Sequence, residues 1–351
     1  SFEIVSVEGY VQLYVRTWVK FRDLVEAAVY AQYPDAEITE VEDYTTNAPN
    51  EFPTPGYDLV GSEFKLTNKG VFSIRTYPEF EDKLSGELKD TMAALLESLS
   101  KLRPGEQLWV QIIVRPMEER AWLAMGMQVV RKLIGAKIKG KGPSMIRELL
   151  HLPLSLMEGT FLPVPGETKT KKDDPPTMML HLSPGERIVV EGVQRKLTKK
   201  PFHTKIRWVY VARKEVFAKG RTFAMMKGTF GQFTILDQNG FAQYNKATTK
   251  TDYPWQLQKK FEYLTLFMIR TLTTRQNSIL RAYRNRDMGI GAPPSVLNIE
   301  ELATIYHFPV MQVKAPLVKK SETKRAEPPV SLPVMGRSVY ASAPAGSELA
   351  Q

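Results

Sequence analysis

The chain contains no cysteine. Disulfides, thiolate zinc sites, iron–sulfur clusters and cysteine nucleophiles are thereby excluded. A thiol-free composition is compatible with a reducing cytoplasm without requiring one. Long apolar runs are lacking too: nothing approaches the roughly 18 uninterrupted apolar residues of a membrane-spanning helix. The most apolar run, Leu264–Ile269, is short and follows Glu262. The first residues hold no basic n-region and no apolar h-region, so no signal peptide is expected within them. A start at Ser1 leaves room for residues upstream. Histidine is scarce: His151, His181, His203 and His307 form no H-x-x-x-H pair, and no G-x-S-x-G elbow occurs.

What is present suits folded domains. Of 351 residues, 43% are apolar and 25% charged, enough for two or three packed cores. The charge is unevenly placed. Residues 1–130 carry 12 Lys and Arg against 21 Asp and Glu, a net of −9; the rest carry 36 against 17, a net of +19. An acidic module joined to a basic one suggests a polyanionic partner for the second: nucleic acid, an anionic membrane surface or the acidic half itself.

The pattern predicts an α+β fold. Phe2–Val7 and Val11–Arg16 alternate as half-buried strands, with Gly9 at a tight turn between them. Helical spacing places Phe21, Leu24, Val25, Ala28 and Val29 on one face before Pro34, and a strand is expected over 37–44. The order then repeats: strands over 57–66 and 71–77, a helix over 90–102 capped by Asp90, and a strand over 108–114. Two small ββαβ units are therefore expected in an acidic domain, 1–118. A basic, helix-rich mixed α/β region is expected over 119–308. It would hold helices near 120–134 and 144–150, a loop over 163–176, a helix from Ser183-Pro184, a strand over 202–212, a helix over 215–230 and one long helix over 253–286. Residues 309–351, rich in Pro and Lys, read as a flexible tail.

Chemistry-bearing motifs are near misses. Gly135–Gly142 supplies G-x-x-x-x-G-K but lacks the hydroxyl that would hold magnesium, and it follows a helix instead of a strand. Phe233–Asp237 resembles an acid-ended strand, but Gln238-Asn239-Gly240 reads as a turn. Glu37, Glu40, Glu42 and Asp43 would alternate faces on a strand and suit a solvated edge better than a cation site. No catalytic residue, metal site or cofactor is expected.

Polyanion binding has more support. Lys132, Lys137, Lys139, Lys141 and Arg147 cluster, and Arg195, Lys196, Lys199, Lys200, Lys205, Arg207, Arg213 and Lys214 form a second basic stretch around Trp208 and Tyr210. Alternation turns Ile206, Trp208 and Tyr210 toward a core. Lys205 and Arg207 would then point outward, toward phosphates.

Six phrases together carry a resemblance: Glu3–Gly9, Val29–Pro34, Glu40–Thr45, Lys205–Val211, Asn298–Pro309 (NIEELATIYHFP) and Glu327–Pro333. Across about residues 2–333 the chain resembles the N-terminal, pre-ATPase region of bacterial conjugative DNA-transfer proteins of the type IV secretion, FtsK/HerA-like class. The resemblance implies a docking module that positions a hexameric motor against membrane components, cytoplasmic and peripheral at the inner membrane. The motor's ATPase activity maps to no residue here. Residues 298–309 would form the junction to the motor, with Asn298 as N-cap, Glu300 and Glu301 in the first turn, Leu302 turned inward, and His307, Phe308 and Pro309 closing the segment. Expected partners are proteins of a translocation machine, with DNA or anionic lipid at the basic half, and other copies of the chain. A self-assembling scaffold is the alternative.

Overall fold

The computed structural model describes residues 1–81, 90–134, 182–249 and 272–309. Their fold is α+β. Strands β1 (Phe2–Val7), β2 (Tyr10–Val15), β3 (Tyr57–Leu66), β4 (Glu106–Pro116), β5 (Pro201–Arg213), β6 (Phe241–Gln243) and β7 (Ser295–Asn298) form one antiparallel sheet. Its order is β2-β1-β4-β5-β3-β6, with β7 also paired to β5. The hairpin β1–β2 turns at Glu8-Gly9, where both residues have positive φ and glycine meets no Cβ penalty.

The helices are α1 (Arg22–Gln32), α2 (Ala93–Ser100), α3 (Glu119–Leu133), α4 (Pro184–Leu197), α5 (Lys219–Gly231), α6 (Leu272–Arg284) and α7 (Ile299–Ile305). Ser183 starts α4 with a capping box to Glu186 and proline in the first turn, which pre-sets helical φ. Helices α2, α5 and α7 cover one face of the sheet through Leu95, Leu96, Leu99, Phe223, Phe230 and Ile305. The other face takes Ile279, Leu280 and Tyr283 of α6, together with Tyr44, Ala48 and Phe52 from the segment before β3. A smaller cluster joins α3 to α4 through Trp122, Val130, Val190 and Val193.

The arrangement corrects several expectations. The strands of both ββαβ units join one sheet, and β5 from the basic stretch lies between β4 and β3. No structural break therefore follows residue 118. Residues 37–43 are not a strand; they are exposed, and no neighbouring strand offers their backbone a ladder among the described residues. Residues 71–76 are likewise not a strand, although Val71 and Ile74 are buried. Their backbone donors are already used: Ile74 N–H donates to the Glu301 carboxylate and Arg75 N–H to the Phe233 carbonyl. Asp90 does not cap α2, which begins at Ala93, but its carboxylate accepts from Met92 N–H. Helix α1 forms as expected, yet none of its residues is buried. The expected helix over 144–150, the loop over 163–176, the first part of the helix over 253–286 and the tail from 310 lie outside the described residues.

Candidate functional site

Two polar assemblies tie the C-terminal segment, residues 275–308, to the sheet. The first is a row across the strands on the α6 face. Sheet register aligns Glu63 with Arg207, Arg207 with Gln111, and Gln111 with Glu3. Arg207 is fully buried. Its Nε donates to Glu63 Oε1 at 2.7 Å, and its Nη atoms donate to the carbonyls of Ala282, Asp287 and Ile290 at 2.6–3.0 Å. A guanidinium has five N–H donors in a fixed fork, so this geometry holds the α6 C-terminus and the following loop in one register. Glu63 also accepts from Ala292 N–H. The loop passes at Gly291, whose φ is +98° and where a Cβ would come 2.1 Å from the Glu63 carboxylate. Lys205 donates to Ile290 O at 2.6 Å, and burial lowers its ammonium pKa.

Gln111 extends the row by donating to Glu3 and to Tyr283 O, each at 3.0 Å. Arg286 clamps Glu3 through Nε at 3.0 Å and also pairs with Asp43. Tyr44 donates to Glu3 at 2.6 Å. Burial by itself would raise both carboxyl pKa values, but these donors outweigh it. Arg286, the Tyr44 hydroxyl and Ser1 hold Glu3 below the usual range, while Arg286 and Thr45 bring Asp43 down to about 2.

The second assembly centres on α7. Asn298 and Glu301 form a capping box: Asn298 Oδ1 accepts from Glu301 N–H at 2.8 Å and Glu301 Oε2 from Asn298 N–H at 2.9 Å. The same carboxylate meets Lys196 of α4 at 2.8 Å, with both side chains wholly buried. Lys196 Nζ further donates to the carbonyls of Phe72 and Val296. Burial pulls this lysine's pKa down, and Glu301 opposes that shift. Thr304 accepts from Tyr77 N–H at 3.1 Å, while its carbonyl accepts from Thr91. Leu302 packs half-buried against the core. His307 bonds Asp90 at 3.2 Å and Ala303 O at 2.9 Å, and its N–H donates to Met92 Sδ. Phe308 sets its ring edge-on to Tyr33, 4.9 Å between centroids, and Pro309 is half-buried.

The expected basic surface is reduced by this arrangement. Lys205 and Arg207 do not face solvent: the sheet face expected to be open is covered by α6, so both side chains are buried and bound to protein oxygens. Lys199 pairs with Glu300, joining the basic stretch to the junction segment. Arg195 is exposed, and Lys200 lies 3.9 Å from Glu119 with most of its side chain in water. Lys137, Lys139 and Lys141 lie outside the described residues.

Lys196, expected in the basic stretch, is likewise buried, against Glu301, and sequence reading missed the internal roles of Glu3, Glu63, Gln111 and Arg286. Two signals were available. Glu301 stands three residues after an Asn N-cap, the capping-box spacing. Trp208–Ala212 is apolar at both parities, which marks a strand buried on both faces, so its neighbours Lys205 and Arg207 need internal partners.

Among the described residues, no group of three or more His, Asp or Glu side chains is placed to hold a metal ion, and no helix is long and apolar enough to cross a membrane. No protein-family model, curated protein or solved structure matches the chain.

Proposed function

We infer that the chain is a non-catalytic docking and assembly module of a conjugative DNA-transfer or type IV secretion-like ATPase, placing a motor at the inner membrane. The observation that carries this reading is the mounting of residues 298–308. The segment that the resemblance assigns to the motor junction, residues 298–309, holds a seven-residue helix whose buried Glu301 engages Lys196, Asn298 and Ile74 at once. A helix so short has little stability of its own. Fixed in this way, it passes load or orientation from whatever follows it to the sheet.

The buried carboxylates serve the same purpose. Glu3, Glu63 and Glu301 each hold a cation and backbone or hydroxyl donors, a use that suits rigidity better than proton transfer. Contact with DNA or anionic lipid falls to Arg195, exposed near the end of α4, and Lys200, in the link from α4 to β5. Affinity through these residues should fall steeply with salt, and Lys200→Ala should reduce the slope.

Affinity purification of the chain from its own cells tests the docking reading. Recovery of a ring-forming ATPase and membrane-channel components supports it; recovery of neither overturns it. The scaffold reading retains one observation, that the six-residue β2 forms an edge of the sheet and could pair with a neighbour. Large closed assemblies of the pure chain in light scattering would favour it.

A further inference from the structure

Helix α1 poses a physical problem. It has 11 residues and buries none of them. Isolated helices shorter than about 12–15 residues are marginal in water, and helices in proteins owe most of their stability to a packed apolar face. Here Val25 and Val29 are only half-buried, and Leu24 on α1, with Trp18, Val19 and Val41 from the segments flanking it, stands in solvent. Val19 is 88% exposed, Trp18 77%, Leu24 68% and Val41 58%. Arg22 bonds both Glu26 and Glu40, which brings the segment after α1 alongside its first turn and gathers these side chains into one region. An apolar patch of this kind on a folded protein marks a contact. The stretch that carries it is net acidic, with Asp23, Asp35, Glu37 and Glu42 exposed against the cations Arg16 and Lys20. A like-charged membrane surface is disfavoured there, and so is the same patch on a second copy.

The course of the chain names the occupant. After α7, the ring of Tyr306 lies against Phe2 and that of Phe308 against Tyr33, the residue that closes α1. The chain thus passes Pro309 beside one end of α1. Residues 310–319 read Val-Met-Gln-Val-Lys-Ala-Pro-Leu-Val-Lys, five large apolar residues with two lysines and no acid. Ten residues reach about 33 Å when extended. Helix α1 is about 16 Å long, so they can cover it from end to end.

We propose that residues 310–319 dock along the exposed face of α1, with Val313 and Leu317 on the apolar residues and Lys314 and Lys319 toward the acidic side chains. The contact continues the mount of residues 298–308 onto the N-terminal part of the molecule. It does not depend on the presence of a motor or any other partner.

Hydrogen exchange on the full chain tests it, comparing wild type with a V313D/L317D variant whose changes lie beyond the sheet. The α1 amides should exchange at least about tenfold faster in the variant, while those of β4 and β5 stay unchanged. In the reciprocal experiment, Leu24→Asp should speed trypsin cleavage at Lys314 and Lys319 several-fold. Equal α1 exchange in wild type and variant overturns the proposal, as does cleavage unaffected by Leu24→Asp. Protection of α1 that rises with protein concentration overturns it as well, because the cover would then come from a second copy.

Discussion

Helices α7 and α1 invert the usual relation between length and anchoring. Helix α7 has seven residues, and three of them, Glu301, Thr304 and Ile305, are buried. Helix α1 has 11 residues and an apolar stripe, yet buries none. The difference lies in where polar groups find partners. Helix α7 presents a carboxylate to an internal ammonium and to two backbone donors, and each bond is made in a site closed to water. The ion pairs of α1, Arg22–Glu26 and Arg22–Glu40, sit in solvent, where such pairs contribute little. Anchoring in this molecule follows burial of specific bonds more than amphipathic length.

The sharpest way to break this contrast is Glu301→Ala. It strands the Lys196 ammonium in the core, opens the capping box and leaves Ile74 N–H without its acceptor. Removing one partner of a buried pair costs about 3–5 kcal/mol, which urea denaturation would read as a shifted midpoint. A loss below about 1 kcal/mol would place the anchoring of α7 elsewhere. Arg207→Ala, which strands Glu63, should fall in the same range.

Replacing both partners sharpens the point. Lys196→Met with Glu301→Leu should recover part of that loss, because apolar side chains of similar volume remove the buried-charge cost. The remainder comes from Ile74 N–H and Asn298 N–H, which lose the Glu301 carboxylate in the double variant too, at about 1–3 kcal/mol for a buried donor left unpaired. If the double variant is as weak as Glu301→Ala, the two charges do not act as a pair.

Acid should loosen the Arg286 clamp next. Folding depresses the carboxyls of Glu3 and Asp43, the latter to about 2. Their contribution is thus present above the unfolded carboxylate range near about pH 4, and is lost as pH falls toward 2. Denaturant midpoints measured between these values should decline, and Arg286→Met should flatten that decline. The smallest effect is expected at α1: Leu24→Ala should change global stability by no more than about 0.5 kcal/mol, because the sheet does not rest on that helix. A larger change would mean that α1 packs into the same cooperative unit as α7.

Much of the fold was legible locally. The β1–β2 hairpin, the start of α4 at Ser183-Pro184 and the burial of Ile206, Trp208 and Tyr210 all follow from spacing and turn chemistry. The site was less legible. Lys205 and Arg207 look like a cationic surface because strand alternation tells which residues share a face, not whether that face meets water. Residues 71–76 look like a strand because Val71 and Ile74 are apolar, while the Glu301 carboxylate that takes Ile74 N–H lies far along the chain.

The sequence by itself thus determined the α+β class, most element positions and which side chains share a face, since each depends on residues a few positions apart. Only the tertiary structure decided that the strands make one sheet, that α6 closes its second face, and which cations remain for solvent. Those outcomes rest on pairs 105, 144 and 283 residues apart, Lys196–Glu301, Glu63–Arg207 and Glu3–Arg286. A buried charge is tolerable only where its partner arrives, and local pattern carries no information about arrivals from such distances.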